Sequence, residues 1–344
     1  MSVHAASPGG AARTSRLIEW VLRVREIGII GALALLVTVT AILEPRFIEA
    51  DSLRNLALNA SIFAILAVGQ TLVIITRNVD LSVGSVLGLS AFLAGDLLSK
   101  HPGMSLPLVF VLGIGLGAVC GLFNGILVTW GQVPALVVTL GTLYAFRGLA
   151  FLWTDGRQVN AETLPDPFLN LGSDSIAGVP IMVIIAVVVV LAVGQWLRDY
   201  RPGRELYAIG SNPEGARLAG VRAQRRVLSA FVLAGALAGL GGVLFTTRFG
   251  TVDATAGVGY ELTVIAATVV GGVAIFGGTG SVYGAALGAL LLGTITSSLI
   301  VLRVEAFWQQ AAIGALLLLA ISLDRLLAVR VEAALRRRSA RRAG

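Results

Sequence analysis

Long apolar runs follow one another along almost the whole chain, and they limit what it can fold into more than any other feature does. A transmembrane helix needs about 20 predominantly apolar residues. Ten segments meet or approach that length: 27–43, 57–76, 81–98, 107–130, 134–153, 176–197, 226–246, 259–276, 282–302 and 306–324. They predict an all-α, polytopic membrane protein with about ten transmembrane helices.

The positions of the arginines predict how these spans are oriented. Cytoplasmic loops of membrane proteins collect Lys and Arg, and here basic residues concentrate in 1–26, 198–226 and 326–344. Placing all three regions on one side predicts that both termini are cytoplasmic. We therefore divide the chain into an N-terminal tail 1–26, a membrane domain 27–325 with a cytoplasmic loop 198–226, and a basic tail 326–344. Topology in a lipid membrane explains the net charge of +7, so no nucleic-acid partner is expected.

The first apolar run follows Arg23 and Arg25 and has some features of a signal peptide. It lacks a clear small-residue cleavage site before Glu44. We interpret it as a retained first span.

Glycines recur at helical intervals within the spans. Four of them lie four residues apart in a single row: Gly113, Gly117, Gly121 and Gly125. Such a row predicts that two helices approach backbone to backbone, whereas the shorter pairs Gly235/Gly239 and Gly284/Gly288 are also common in membrane helices that do not pack this way. A similar motif, Gly-Ser-Val-x-Gly, opens the third span at 84–88 and the ninth at 280–284. It indicates either a duplicated half or a coincidence.

Residues for catalysis or for metal binding are scarce. The phosphate-binding motif G-x-x-x-x-G-K-[ST] is absent, because the single lysine, Lys100, precedes His101. The other histidine is His4, and the single cysteine is Cys120, so neither a zinc motif nor a disulfide is available. We expect no catalytic residues, no metal site and no bound cofactor, and the chain cannot hydrolyse ATP through such a loop.

The loop 198–226 carries signals for a short helix over about 213–219. Ser211 or Asn212 can cap it, Pro213 suits its first position, and Gly220 can end it. The helix is either a docking element for a cytoplasmic partner or part of a solvated loop that holds the topology. We favour docking.

Two opposite charges, Arg77 and Asp80, lie between the second and third spans. An ionisable group at membrane depth costs at least ~2.5 kcal/mol on insertion scales, so it normally faces a cavity or a partner. Asp80 can pair with Arg77, and Asn78 and Ser82 can satisfy a broken backbone, although a short loop in water would also hold both charges. We expect the Asp80 carboxylate to accept hydrogen bonds from the amides of Ser82 and Val83 at the start of the third helix, in a structural motif that also includes Gly84.

At these residues the sequence resembles the permease subunits of bacterial ABC importers for monosaccharides, the ribose-type family related to branched-chain amino acid permeases. Five stretches match, and they occur in the family's order within about residues 50–325. The first three are Asn-Val-Asp-Leu-Ser-Val-Gly-Ser at 78–85, Gly-Leu-Phe-Asn-Gly-Ile-Leu-Val at 121–128 and Pro-Ala-Leu-Val-Val-Thr-Leu-Gly-Thr-Leu at 134–143, followed by Arg147-Gly148. The last two are Tyr-Ala-Ile-Gly-Ser-Asn-Pro-Glu-Gly-Ala-Arg-Leu-Ala-Gly-Val at 207–221 and Gly-Gly-Thr-Gly-Ser at 277–281. In the family a Gly or similar small residue often precedes the Asp-Leu-Ser motif, where this chain has Arg77-Asn78. This variant looks like the branch that serves rhamnose or autoinducer-2.

The resemblance implies a set of partners and a class of solute. The partners are a second permease copy or a related chain, an ATPase subunit that binds ATP on two nucleotide-binding domains, and an extracytoplasmic sugar-binding protein. The solute would be ribose, rhamnose, xylose, autoinducer-2 or a similar small molecule. The ATPase would be contacted by residues of the short inner helix: Asn212, Pro213, Glu214, Ala216, Arg217 and Leu218.

Two other functions stay open at this point. A branched-chain amino acid permease would share the fold and differ in its ligand. A secondary carrier driven by an ion gradient would need a buried carboxylate, for which Asp80, Asp96 and Glu261 are the candidates.

Overall fold

The computed structural model describes residues 27–305, 307–315, 318–319 and 322. Its helices are α1 (Ile27–Leu43), α2 (Ala50–Ile74), α3 (Val83–Lys100), α4 (Leu106–Thr129), α5 (Ala135–Thr154), α6 (Asp166–Ser173), α7 (Ile181–Asp199), α8 (Arg201–Ser211), α9 (Pro213–Leu218), α10 (Ala223–Phe249), α11 (Tyr260–Val270) and α12 (Val282–Val301). Two-residue strands β1 (Ser175–Ile176) and β2 (Val179–Pro180) form an antiparallel hairpin before α7. The tails 1–26 and 326–344 lie outside the described residues.

Helices dominate the described part of the chain, and seven of them are long and apolar enough to cross a membrane. This confirms the predicted all-α, polytopic membrane fold. The helices α1 and α11 are apolar but shorter. The tenth predicted span, 306–324, is described in part and is helical over 307–315. The number of spans and the cytoplasmic position of both termini stay predictions.

Helix α10 is the centre of the bundle and packs along α2, α3 and α4. The glycine row of α4 faces it: a Cβ on Gly117 would collide with the carbonyl of Gly235, and one on Gly121 with that of Phe231. The ends of the row, Gly113 and Gly125, lie against Val243 and Leu228. The two backbones therefore approach each other at a distance that only glycine permits.

Between α10 and α11 the chain turns back into the bundle without forming a helix. Val252 pairs with Val159 in an isolated antiparallel bridge, and the segment then runs along α3 towards its first turn. Ala256 lies against Gly88, and Gly257 against Gly84. Helix α11 therefore begins beside the start of α3.

The eighth predicted span, 259–276, is wrong in its length. Helix α11 ends at Val270, and 11 residues of helix extend only about 16 Å, roughly half of the ~30 Å hydrocarbon core. The chain then makes a glycine-rich turn over 271–281, where Gly271 packs against Gly284 at the start of α12. The apolar sequence continues past Val270, so its length alone did not show that the helix ends there.

The predicted loop 198–226 is mostly helical, because α8 and α9 fill it. Only α9 was expected from the sequence. We call the side of the bundle that carries α8 and α9 the inner side. Two non-helical segments approach α8 there, namely the first break (75–82), between α2 and α3, and the second break (271–281), between α11 and α12.

Candidate functional site

Helix α9 is a short, capped helix on the inner side. The side-chain oxygen of Asn212 accepts a hydrogen bond from the amide of Gly215 at 3.0 Å, which satisfies one of the free amides at the helix start. Gly220 follows the helix with φ +78°, a conformation that suits glycine. Glu214 and Arg217 form an exposed ion pair at 2.6 Å. The cap at Asn212 and the glycine at 220 thus define a helix of about one and a half turns.

The six residues assigned to a partner contact divide between two faces of this segment. Leu218 is 78% exposed, and Asn212, Pro213, Glu214 and Arg217 are also exposed. Ala216 is only 5% exposed, because it packs in a buried cluster of the protein's own chain with Ile209, Val227, Phe231 and others. We correct its role: Ala216 anchors α9 to the bundle, and the exposed residues are those that can meet a partner.

Glu205 holds α8 in place beneath α9. Its carboxylate accepts hydrogen bonds from Arg226 Nε at 2.5 Å, at the start of α10, and from Arg201 Nε at 2.7 Å, one turn earlier in α8. The hydrogen bond from Arg226, followed by that from Arg201, lowers the pKa of Glu205 below its ordinary value. This carboxylate therefore stays ionised and connects α8 to the central helix.

Arg77 connects the first break to the end of α8. Its guanidinium donates from Nε to the carbonyl of Gly210 at 2.6 Å and from Nη2 to that of Ser211 at 3.0 Å. It does so from a left-handed backbone, with φ +66°, which costs a non-glycine residue about 1 kcal/mol or more. The possible pair of Arg77 with Asp80 is wrong, since Arg77 binds helix-terminal carbonyls instead.

The second break also contacts α8. The Tyr207 hydroxyl donates to the carbonyl of Gly280 at 3.0 Å, and the amide of Gly278 donates to the carbonyl of Ile75 in the first break at 2.9 Å. Gly210 sits so close to both breaks that a Cβ there would collide with Ile75 and with Gly278. One short helix therefore contacts both non-helical segments.

Asp80 lies at the buried end of the first break and is 3% exposed. Its carboxylate accepts from the Ser82 amide at 2.8 Å and from the Ser82 hydroxyl at 2.7 Å, and Asn124 on α4 donates to that same hydroxyl at 2.8 Å. The expected bond from the Val83 amide is not among those of the described residues; the Ser82 hydroxyl takes its place. With its amide oriented to satisfy both groups, Gln70 pairs with the Asp80 backbone at 3.2 Å on each side.

The two other residues of the predicted motif, Asn78 and Gly84, make contacts of their own that do not involve the Asp80 carboxylate. The Asn78 side chain donates to Thr76 within the first break. Gly84 lies against Gly257 and the carboxylate of Glu261, where no Cβ would fit. The motif therefore holds a turned backbone and makes room for the start of α11.

The three carboxylates that an ion-driven carrier would need all have protein partners. Asp80 caps the first break as described. Asp96 pairs with Lys100 at 2.8 Å and lies 3.6 Å from Arg157, and Glu261 accepts from the Gly259 amide at 3.2 Å. Among the described residues, no group of three or more His, Cys, Asp or Glu side chains could hold a metal ion. These partners favour structural roles for the carboxylates.

Comparison with known proteins gives the family. A family model described as "branched-chain amino acid transport system / permease component" matches residues 52–321. The chain belongs to this family. The permease is 38% identical over 321 residues to the autoinducer 2 import system permease protein LsrC of Escherichia coli (strain K12 / DH10B), covering 93% of each chain. LsrC of Shigella flexneri and of Salmonella choleraesuis (strain SC-B67) are each 37% identical, over 93% of this permease and 93% and 91% of their own lengths.

No solved structure gives a significant match to this chain. The family and these relatives confirm the resemblance found in the sequence, and they make the protein a multi-pass transport permease. A permease moves a solute without changing it; the expectation of no catalytic residues stays a prediction.

Helix α8 and its contacts escaped sequence reasoning. Its buried face is formed by Gly203, Leu206 and Gly210, spaced three and four residues apart, with Glu205 and Ile209 beside them. This spacing is the signal that predicts an amphipathic helix. The arginines of this region and Pro202, in the first turn of α8, are residues typical of a loop.

Proposed function

We propose that this permease is the membrane subunit of an ATP-binding-cassette importer for a small sugar-like solute of the autoinducer-2 class. The relatives named as permeases of autoinducer 2 import systems support the solute class. In this proposal the permease works with an ATPase subunit that carries two nucleotide-binding domains and binds the ATP, an extracytoplasmic binding protein and a second permease copy.

The observation that carries the proposal is the construction of α9. Its outward face is exposed, with Leu218 78% exposed, while Ala216 fastens it to the bundle and α8 behind it contacts both breaks. A helix built in this way can receive a displacement from a cytoplasmic subunit without being pulled off the bundle. We assign α9 as the contact with the ATPase.

The structure offers a route for that displacement. A shift of α9 moves the end of α8, because only Asn212 separates the two helices. The end of α8 is hydrogen bonded to Arg77 in the first break, and Tyr207 of α8 is hydrogen bonded to the second break. The two breaks lead into α3 and α12, and α11 ends at the second. Movement of one inner helix would thereby reach three membrane helices.

Uptake into vesicles tests the energy source and the solute together. With ATP and an ionophore present, the complete importer is expected to take up radiolabelled autoinducer 2, and excess L-leucine is expected not to compete. Loss of uptake on adding the ionophore, with ATP held constant, would favour an ion-driven carrier. Competition by leucine would favour an amino acid permease.

A second experiment tests the contact. Leu218→Glu places a charge on the exposed face of α9 and is expected to release the ATPase during copurification, with the permease still folded. Ile176→Glu is the matched control, since Ile176 is also an exposed apolar residue (60% exposed), but in the hairpin before α7, at the end of that helix opposite α8. Retention of the ATPase by Leu218→Glu would place the contact elsewhere.

A further inference from the structure

A cavity of about 280 Å³ lies where the chain re-enters the bundle between α10 and α11. Its lining includes Phe245, Thr251, Asp253, Thr255, Val258 and Tyr260. Non-helical backbone at membrane depth is tolerated where it lines a cavity or is buried in protein. The volume lies just below the ~300–1,000 Å³ typical of pockets for drug-sized ligands, so the cavity suits a smaller solute.

One wall of the cavity is aromatic and firmly packed. The rings of Phe245 and Tyr260 meet edge to face with centroids 6.1 Å apart. Phe63 supports Tyr260 from α2 at 4.7 Å, and Phe249 supports Phe245 from the next turn of α10 at 4.5 Å. The two lining rings are therefore held in fixed orientations by rings behind them.

Another part of the lining presents hydrogen-bond acceptors. The Asp253 carboxylate accepts from the Thr255 amide at 2.7 Å and from its hydroxyl at 2.6 Å, and both bonds go to the same oxygen, Oδ1. Among the described residues, the second carboxylate oxygen of Asp253 has no hydrogen-bond donor, so it can accept from a solute. Arg147 fixes the segment from outside the cavity lining, because its Nη1 donates to the carbonyls of Ala254 at 2.8 Å and Ala256 at 2.6 Å.

We infer that this cavity is a binding site for a polyhydroxylated solute on the translocation path of the permease. The rings of Phe245 and Tyr260 contact the apolar C–H face of the solute, and Asp253 accepts a hydrogen bond from one of its hydroxyl groups. An apolar lining with a few placed polar groups is the usual composition of such sites. This inference rests on the proposed function and adds the residues that hold the solute.

The lining also discriminates between solute classes. None of the residues lining the cavity is Lys, Arg or His, and the nearby Arg147 is hydrogen bonded to the carbonyls of Ala254 and Ala256. Asp253 could pair with the ammonium group of an amino acid, but the carboxylate of that amino acid would have no cation in the lining. A neutral sugar-like molecule leaves no charge unpaired, so the lining favours it over the amino acid.

Three variants test the site in the complete importer, with autoinducer 2 as the probe. Asp253→Asn keeps an oxygen for the Thr255 bonds but removes the charge, and Phe245→Leu removes a lining ring. Each is expected to lower uptake per ATP hydrolysed about tenfold, a change equivalent to ~1.4 kcal/mol, with the ATPase rate within about twofold of wild type. Phe123→Leu is the matched control: it removes an exposed ring of α4 that pairs with Phe146 and neither lines the cavity nor contacts its rings, and uptake should stay within about twofold.

Site-specific labelling provides a readout that requires no transport. Val258 lines the cavity and is 62% exposed, whereas the single native cysteine, Cys120, is 5% exposed. Val258→Cys is expected to react with a membrane-impermeant thiol reagent, and saturating autoinducer 2 should slow that reaction at least threefold. The same protein carrying Asp253→Asn should lose most of this protection.

The outcomes separate the two proposals. If the wild-type importer takes up autoinducer 2 with ATP but Asp253→Asn and Phe245→Leu behave like Phe123→Leu, the cavity is not the solute site and the proposed function stands. If the wild type shows no ATP-dependent uptake while autoinducer 2 protects Val258→Cys, the importer function fails and the site stands. Absence of protection in the active wild-type background overturns the site.

Discussion

Replacing Arg77 with alanine is expected to loosen the connection between α8 and the first break. The guanidinium makes two hydrogen bonds, at 2.6 and 3.0 Å, to the carbonyls of Gly210 and Ser211. A hydrogen bond to a charged group contributes ~1.5–3 kcal/mol in a buried site. Because Arg77 is exposed, we take the lower end, ~1.5 kcal/mol, for its two hydrogen bonds together. A cation at a helix C-terminus adds ~0.3–1 kcal/mol.

These contributions amount to about 2 kcal/mol, or roughly a 30-fold shift in the equilibrium between the connected and released states. Hydrogen exchange of the backbone amides over 204–212 in the purified permease measures that equilibrium directly. We expect exchange there to accelerate about 30-fold in Arg77→Ala. Arg77→Lys keeps the charge and can form one of the two bonds, so it should accelerate exchange about fivefold.

Arg204→Ala is the matched control for this experiment. Arg204 also lies on α8 and donates to a backbone carbonyl, that of Asp199, at 3.0 Å, but among the described residues its side chain has no hydrogen bond to either break. Exchange over 204–212 should stay close to wild type. Equal acceleration in Arg77→Ala and Arg204→Ala, or none in either, would refute the argument that Arg77 holds the two elements together.

Three further changes test the bundle. Asp80→Asn should keep much of the folded yield, because an amide oxygen can still accept from Ser82, while Asp80→Ala should lower it by removing a cap worth ~1 kcal/mol; fluorescence size-exclusion chromatography measures the yield. Gly121→Ala should lower the free energy of unfolding by ~1–3 kcal/mol through overpacking against the facing carbonyl, whereas Gly115→Ala, where a Cβ meets no atom within 4 Å, should have no such cost in thermal unfolding in detergent. Glu205→Gln should lower thermal stability at neutral pH, with the difference from wild type disappearing at acidic pH.

The sign of the Glu205 effect follows from its lowered pKa. Below its ordinary pKa of about 4.3 the unfolded carboxyl takes up a proton, while the folded one, held by two arginines, still resists protonation. The stabilisation is therefore complete above that pH and is lost as the pH falls through the folded pKa. A difference in stability between Glu205→Gln and wild type that persists unchanged in acid would contradict this argument. A normal folded yield of Asp80→Ala would count against the capping role of Asp80. Equal stability of Gly121→Ala and Gly115→Ala would count against the close packing of α4 on α10.

Local signals predicted the parts of the permease that depend on a few neighbouring residues. The cap at Asn212 and the helix end at Gly220 are each marked by residues within one helical turn. The close approach at Gly121 is marked by a row of glycines spaced four residues apart. Both kinds of mark can be read from sequence spacing. The family resemblance also depended on short contiguous motifs. These features were accessible because the residues that mark them lie close together in the sequence.

The remaining features depend on contacts between distant parts of the chain. Arg77 binds carbonyls more than 130 positions away, and the half-length α11 ends at Val270 although the apolar run continues. The glycines at 271, 272, 277 and 278 were the available sign of that break, since glycine-interrupted apolar segments mark discontinuous helices. The burial of Ala216 was unpredictable for the same reason, because its buried cluster also includes Val73 of α2 and Ala135 of α5.

The glycine contact between α4 and α10 has a consequence for how the protein can change shape. At Gly117 and Gly121 the two backbones touch with no side chain between them that could switch rotamer and let the helices slide, so this pair acts as a fixed frame within the permease. The breaks at 75–82 and 271–281 and the re-entrant 250–259 lack the continuous hydrogen-bond ladder of a helix. A conformational cycle would concentrate its backbone rotations in these three short segments, which together make up less than a tenth of the chain.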